Sequence, residues 1–394
     1  TAQAILFDVF PMAERGTAMA IFGMGVMVGP TLGPTLGGWI TDNFSWPWIF
    51  YINIPLGIMA AILTWRYVPE PAHVVDQADT IDWWGLAFLI MGIGALQILL
   101  ERGESKGWFD SAEITAEAVI AGFGVVAFIV RELLAEHPIV DLRILKNRQL
   151  TAGVVFGLAL GFALYASVFA LPILLQNLLG YTAWDTGKVI LPGALASAVT
   201  MAFVGKFVAK IDARLMITIG VGLGVWSRGL HYRLTLQIGL GDLFWPMVLR
   251  GVGLGFIFVP LTNAAVADLH PRQFAQGTGL FNLSRQLGGS FGIAIAATLI
   301  TRFTIRAQTA LTAHVNVYQP GVATWLTGAT RTFQRLGGSA QHAGLQAQAL
   351  LGRVIQAQSM MIAFERVFLT MGITFVCALP LLLLFRTGRV AGGN

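Results

Sequence analysis

Ten runs of mostly apolar residues recur along this chain, each close to the length a helix needs to cross a bilayer, about 20 residues. They lie at approximately 17–40, 47–66, 81–100, 114–131, 150–175, 186–209, 214–230, 243–267, 279–301 and 360–385. Only 11% of the 394 residues are charged and 56% are hydrophobic, and the mean hydropathy is +0.71. A soluble core cannot hide that much apolar surface, whereas lipid accepts it, provided each segment satisfies its own backbone hydrogen bonds. The expectation is an all-α polytopic membrane protein. The run at 114–131 is the weakest, with Glu113 and Glu117 in its first turns, and that at 214–230 is short and ends near Arg228. The first ten residues, "TAQAILFDVF", read as the last turns of a further span. We therefore expect an N-terminally truncated sequence with about ten complete spans plus the end of another.

The net charge of +5 would suggest nucleic acid in a soluble protein. Here the basic residues sit between apolar runs, so they are read as orientation signals and no nucleic-acid partner is expected. One alternating set of short loops holds Arg15; Arg66; Arg131, Arg143, Lys146 and Arg148; Lys206, Lys210 and Arg214; Arg272; and Arg386 and Arg389. The opposite set holds fewer: Arg102 and Lys106; Lys188; Arg228 and Arg233. Cytoplasmic loops carry the Lys/Arg excess, which places the C-terminus inside. The single cysteine, Cys377, excludes an internal disulfide. Residues 132–149, "ELLAEHPIVDLRILKNRQ", read as a mixed-charge cytoplasmic linker, and residues 302–359 as a long polar loop on the outer side. The helical periodicity of "GLQAQALLGRVIQAQ" within that loop allows an amphipathic helix or a partner surface, but a packed loop is the favoured reading.

The stretch "GVMVGPTLGPTLGGWI" puts Gly25, Gly29, Gly33 and Gly37 four residues apart, with Pro30 and Pro34 between them and Gly38 following. In water an interior glycine costs a helix roughly 1 kcal/mol and a proline about 3. At 100° per residue the four glycines form one slowly winding stripe, and small-residue stripes let helix backbones approach closely in lipid. A static packing seam and a bent helix between two moving halves share this geometry; the repeated proline favours the second. The chain also repeats itself. "DVFPMAERGTAMA" and "DLHPRQFAQGTGL" match at Asp8, Pro11 and Gly16-Thr17 against Asp268, Pro271 and Gly277-Thr278, with one inserted residue. Both copies precede a Gly-rich span in the same orientation, as two halves related by an axis along the membrane normal would have it.

"GPTLGPTLGGW" resembles the antiporter signature of major facilitator drug exporters, with Gly33-Pro34 and Gly37-Gly38 in the signature's places. "FPMAERGTAMAIFGMG", "WPWIFYINIPLG", "WPMVLRGVGLGFIFVPLTNAA" and "GLFNLSRQLGGSFGIAI" follow that family's order. Together they resemble the fourteen-span drug:proton antiporters of the EmrB/QacA type. The resemblance implies the major facilitator fold, the initial residues being the end of span four and the ten runs spans five to fourteen. It further implies three regions: 1–66, the remainder of an N-terminal bundle; 67–149, two linker spans with the cytoplasmic linker; and 150–394, a C-terminal six-helix bundle carrying the outer loop. "GKFVAKIDARLM" sits where the family has a degenerate gating-loop signature, and Gly205, Lys210 and Arg214 fit it. Ala209 and Asp212 depart from it. Asp8, Arg15 and Asp268 join these as gating-loop candidates.

Charge inside lipid is costly, about 2.5–3.5 kcal/mol on insertion scales, and so marks function by default. Arg250 and Arg285, the latter beside Asn282 and Gln286, lie well inside their runs and are read as belonging to a water-filled cavity or gate network. Arg250 also resembles the intramembrane arginine the family carries in each half. Glu365 and Arg366 are read as an interfacial pair. Phe162, Tyr165 and Phe169 share one face of their helix, for cavity lining or for packing. The small residues Gly193, Ala194, Ser197 and Ala198 are expected to receive the glycine stripe of 17–40.

The two "GVGLG" segments follow no strand, so they are not dinucleotide turns. No phosphate loop, no metal-ligand spacing and no catalytic triad is readable. The expected function is transport, not enzymology: export of small amphipathic drugs or toxic compounds in exchange for protons, by alternating access, with the proton gradient as energy source and no cofactor. The family's main proton-coupling carboxylate belongs to a span before Thr1. The resemblance implies a bacterial cytoplasmic (inner) membrane location, and a periplasmic adaptor and outer-membrane channel as further partners besides the lipid bilayer. A nutrient or ion uniporter or symporter of the same fold, and a non-transporting membrane scaffold, are the competing readings.

Overall fold

A computed structural model describes residues 5–6, 9–11, 14–68, 82–135, 138–208, 210–231, 239, 241–270, 273–315 and 319–385. All ten apolar runs lie on helices, because a chain in lipid has no other way to pair its backbone within one segment. In chain order these are α1 (Arg15–Asn43), α2 (Asn53–Tyr67, preceded by the short helical turn Trp48–Tyr51), α3 (Trp83–Arg102), α4 (Ala112–Leu134) and α5 (Arg148–Ile173). They continue with α6 (Ala183–Phe207), α7 (Ala213–His231), α8 (Phe244–Val266), α9 (Phe274–His314), α10 (Pro320–Arg335) and α11 (Ala340–Ala378). Among the described residues, eight helical segments are long and apolar enough to cross a membrane, while the apolar part of α7, Ala213–Ser227, is shorter. Helix α1 runs unbroken through Pro30 and Pro34.

Polar side chains fix where several helices begin. Asp82 accepts from the Gly85 N–H at 3.1 Å, Asn147 from the Gln149 and Leu150 N–H groups at 2.9 and 3.2 Å, and Thr182 from that of Asp185 at 3.0 Å. Each satisfies a donor that the first helical turn leaves open. Within the spans, hydroxyls bond back to their own helix, as Thr262 does to the Phe258 carbonyl at 2.8 Å and Thr278 to that of Phe274 at 2.7 Å. Pro172 near the end of α5 is followed by one wide turn, Leu174–Leu178, of π-helical form, closed by the Leu179 N–H on the Leu174 carbonyl at 3.2 Å.

Helix α5 lies at the centre of the largest packed unit, against α8, α9 and α11; α6 packs on α8 and α1, and α7 on α8 and α11. Phe156, Phe258 and Phe281 anchor one apolar core and Leu171, Leu174, Met247, Phe364 and Phe368 a second. Glycines set the closest approaches. A methyl at Gly161 of α5 would overlap the Arg285 carbonyl oxygen of α9, and one at Gly288 of α9 that of Leu158. Helices α3 and α4 pair through Gly92 and Gly124, where an added Cβ would lie 2.6 Å from the other helix's backbone. This pair is fastened to α9 by two polar contacts. Ser290 Oγ donates to Gln97 Oε1 at 2.6 Å, and Trp108 Nε1 to Thr298 Oγ1 at 3.1 Å and Glu104 Oε2 at 3.0 Å. At the other end, Arg131 bridges to Asp82 at 2.9 Å.

Residues 302–359, read from the sequence as a packed loop, are mostly helical instead. Helix α9 continues to His314, α10 comes next, and α11 begins at Ala340. These stretches are rich in Ala and Gln, strong helix formers that are not apolar, so a search for apolar runs ends where the lipid ends and the helix does not.

Candidate functional site

Arg250 enters α8 one turn after Met247 and just before Gly251, and both neighbours are pinned. A Cβ at Gly193 of α6 would stand 2.6 Å from the Met247 carbonyl oxygen, and one at Gly251 would overlap the Gly193 carbonyl. On the next turn Gly253 meets Gly220 of α7 at 2.7 Å in the same sense. Helix α8 is thus held from two sides around Arg250. Arg250 lines two cavities. The first, about 530 Å3 with its open mouth included, lies between α5, α6 and α8 and is walled by Leu164, Val168, Leu171, Ile190, Gly193, Ala194, Met247 and Leu254, with Ser197 as its other polar side chain. The second, about 340 Å3, is bounded by α5, α7, α8 and α11. Neither lining contains an acidic residue. Arg250 Nη1 is buried without a hydrogen-bond partner.

The other sequence candidates divide. Arg285 lies over the Phe258 ring, its Cζ 5.9 Å from the ring centre, a cation–π contact. Its Nε is buried without a hydrogen-bond partner. Neither Arg285 nor Asn282 lines the Arg250 cavities. Phe162, Tyr165 and Phe169 do not line them either. Phe162 and Tyr165 pack toward α9, where Gly292 and Gly289 make room for them, and the Tyr165 hydroxyl reaches Gln286 Oε1 at 3.5 Å. Phe169 packs on the second core. The cavity face of α5 is the adjacent one, Leu164, Val168 and Leu171. Arg366 lies over Phe303 of α9 at 5.5 Å, and Glu365, next to it in sequence, points elsewhere because consecutive helical residues diverge.

The glycine stripe needs a correction. Helix α1 does pack on α6, but Gly25, Gly29, Gly33 and Gly37 do not make the contact: a Cβ at any of them meets nothing within 4 Å. Contact runs through Gly23, against Met201 and Phe258, and through Gly38, against Ala183. Gly25 stands about 200° round the helix from Gly23, which turns the start of the stripe away. The small residues Gly193, Ala194 and Ser197 of α6 face α8 and the Arg250 cavity instead. The side chains of Pro30 and Pro34 lie outside the described set.

Of the gating-loop candidates, Arg214 and Asp268 come together, lining an open polar cavity of about 810 Å3 with Arg148 and Gln149. The Arg214 Nε is buried without a hydrogen-bond partner, and Arg148 donates to the Leu383 carbonyl at 3.3 Å. Gly205 is buried in the last turns of α6, and Lys210 is exposed just beyond. Asp8 lies outside the described residues, as does the side chain of Arg15. Sequence reasoning missed Arg148, Gln97 and Trp108; a glutamine inside an apolar run was the one signal that could have marked Gln97.

The sequence profile of the Major Facilitator Superfamily matches residues 1–293. The fatty acid resistance protein FarB of Neisseria gonorrhoeae is 33% identical over 394 residues, covering 100% of this chain and 76% of that protein. The multidrug export protein EmrB of Escherichia coli is 32% identical over 395 residues, covering 100% and 75%. The colistin resistance protein EmrB of Acinetobacter baumannii is 26% identical over 368 residues, covering 93% and 71%.

Proposed function

This chain belongs to the Major Facilitator Superfamily, and on that premise we propose that it exports amphipathic drugs or toxic compounds across the membrane in exchange for protons. The observation that carries the reading is similarity, over the whole of this chain and about three quarters of theirs, to proteins named for multidrug export and for resistance. The cavity at Arg250 supports it: apolar walls with one charged group suit part of an amphipathic ligand. In this mechanism two bundles rock about a midplane site. Helices α1 and α6 form one seam between the halves, the region 67–149 serves as a linker pair, and 150–394 is the C-terminal bundle. The gating loops close the inner side through Arg214 and Asp268. The membrane is proposed to be the bacterial cytoplasmic membrane, and the helical hairpin of α9, α10 and α11 the part that would meet a periplasmic adaptor leading to an outer-membrane channel.

Reconstitution tests the coupling. With the protein in proteoliposomes and a pH-sensitive dye trapped inside, substrate flowing down its gradient should drive protons the opposite way. Protons travelling with the substrate would establish a symporter, and substrate flux without proton movement a uniporter.

A further inference from the structure

Two carboxylates and one arginine meet where α3 begins and α4 ends. A Cβ at Gly85 would stand 2.9 Å from Asp82 Oδ2 and 3.0 Å from Glu132 Oε1, so both acids face the notch that this glycine leaves open. Their surroundings differ. Arg131 holds Asp82 in a fork, Nε on Oδ2 at 2.9 Å and Nη2 on Oδ1 at 3.2 Å, and the Gly85 N–H adds a third bond at 3.1 Å. Glu132 follows Arg131 in sequence and turns inward, because consecutive helical residues diverge by about 100°. Its exposure is 0%, so no group outside this shell can touch it. Oε2 accepts from the Val140 N–H at 3.1 Å, and Oε1 is buried without a hydrogen-bond partner.

Among the described residues few charges face Glu132. Asp82 and Arg131 act on it electrostatically. The segment leading into α5 carries three more. Asp141 accepts from the Arg143 N–H at 3.0 Å, the Arg143 guanidinium donates to the Leu133 carbonyl at 2.9 Å, and Lys146 is exposed. Glu101, Arg102, Glu113 and Glu117 lie toward the far ends of α3 and α4, roughly 20 Å away along the helix axes. An enclosed carboxylate beside a second one, whose arginine is already engaged, is unfavourable, and such a pair titrates as a unit that retains one proton.

We propose that Glu132 carries a proton at neutral pH and that this proton locks the segment 138–146 onto the end of the α3–α4 pair. The neutral acid keeps Val140 tied through Oε2 and gives Oε1 a hydrogen to donate toward Asp82 across the Gly85 notch. Loss of the proton puts a second negative charge there. The carboxylate then has to draw Arg131 from Asp82 or leave for water, and in leaving it releases Val140. The segment 138–146 runs directly into α5, whose first turn Asn147 caps. The proton therefore sets how firmly the α3–α4 pair is coupled to the helices that follow. The site is built from α3, α4 and the segment between α4 and α5, and stands whether or not the export reading does.

Infrared spectroscopy and amide exchange on the purified protein in nanodiscs test it. At neutral pH the wild-type spectrum should contain a carboxylic C=O stretch that Glu132→Gln removes. Asp82→Asn takes away the second carboxylate and frees Arg131, and should move the disappearance of that band down by about one pH unit or more. Exchange of the Val140 amide, corrected for its intrinsic rate, should quicken by up to about tenfold per pH unit as the proton leaves. Glu132→Gln keeps the acceptor but cannot ionise, and should hold that exchange slow at every pH. A neutral-pH spectrum from which Glu132→Gln removes no carboxylic band would show a carboxylate already ionised and overturn the proposal. So would wild-type Val140 exchange that ignores pH. If Glu132→Gln does not fold, the wild-type exchange profile decides alone: a slope of about one proton upholds the clasp, and a flat profile overturns it.

Discussion

Asp82 shows how a single residue can hold two helices. Its carboxylate caps α3 and receives Arg131 from α4 at 2.9 Å. The hydrogen bond from Arg131, then that from the Gly85 N–H, holds its pKa below the ordinary 3.8. A depressed carboxylate pKa means the contribution to stability is complete above the ordinary value and is lost as pH falls through the lower one. In a detergent melting series, Asp82→Asn should therefore unfold at a lower temperature than wild type at neutral pH, and the gap should close as the buffer is taken below pH 3.8. A gap that persists unchanged into strong acid would show that the ion pair is not its source. Arg250 was legible in the sequence because a charge interrupts an apolar run, and runs of that kind leave few reasons for an arginine. Its surroundings were not legible: the walls of its cavity come from helices whose relative rotation no one-dimensional pattern records. The aromatic triplet on α5 illustrates the gap: periodicity put Phe162, Tyr165 and Phe169 on one face but could not say that the first two pack toward α9 and the third on the second core.

At the level of the helices, glycine spacing is abundant and ambiguous. Gly153, Gly157 and Gly161 of α5 repeat every four residues just as the stripe of α1 does, yet only the former press on a neighbour. The two should respond differently to a side chain. Gly161→Ala puts a methyl into the Arg285 backbone and should cost about 1–3 kcal/mol or more, seen as a lower yield of monodisperse protein. Gly33→Leu has open space around it and should fold and reach the membrane normally. If α1 serves the antiporter mechanism, that same variant should nevertheless abolish drug resistance; full resistance with normal surface expression would remove the stripe from the mechanism. Helix ends were the other weak point of the sequence reading. Among the described residues every apolar run lies on a helix, because lipid selects for them, but the polar continuations of α9 and α11 answer to helix propensity and to packing on one another, which hydropathy does not sense.

For the molecule as a whole, α1 and α6 meet along a seam touched near both ends, at Gly23 with Met201 and at Gly38 with Ala183. If the proposed rocking of one bundle against the other takes place, it has to loosen one end of this seam. In a Cys377→Ser background, Gly38→Cys with Ala183→Cys starts with Cβ positions 2.6 Å apart, closer than the roughly 3.5–4.5 Å that bridged residues show, so the two helices must part by about 1 Å before the pair can oxidise. Oxidation should stop transport and reductant should restore it. Transport that continues through a fully formed crosslink would mean the seam does not open in the cycle. The α3–α4 pair should behave otherwise: clasped to α9 at Gln97–Ser290 and Trp108–Thr298, it should travel with that helix, so its distance to α9 should stay constant between substrate-free and substrate-bound protein in spin-label measurements.

The wide turn at Leu174–Leu178 has a bearing on how this chain can change length. A π-turn accommodates one residue more than an α-turn over the same rise, so it is the place where a past insertion can be stored without displacing the helix around it. Removing one residue there would let α5 close into a regular helix while its far side, with Pro172 and everything before it, stays in register. The connection to α6, where Gly180 sits at a positive φ of 72°, would keep its place. Gain and loss of single residues among homologous chains should therefore concentrate in this turn and should be rare in the stretch of α5 that carries Gly153, Gly157 and Gly161.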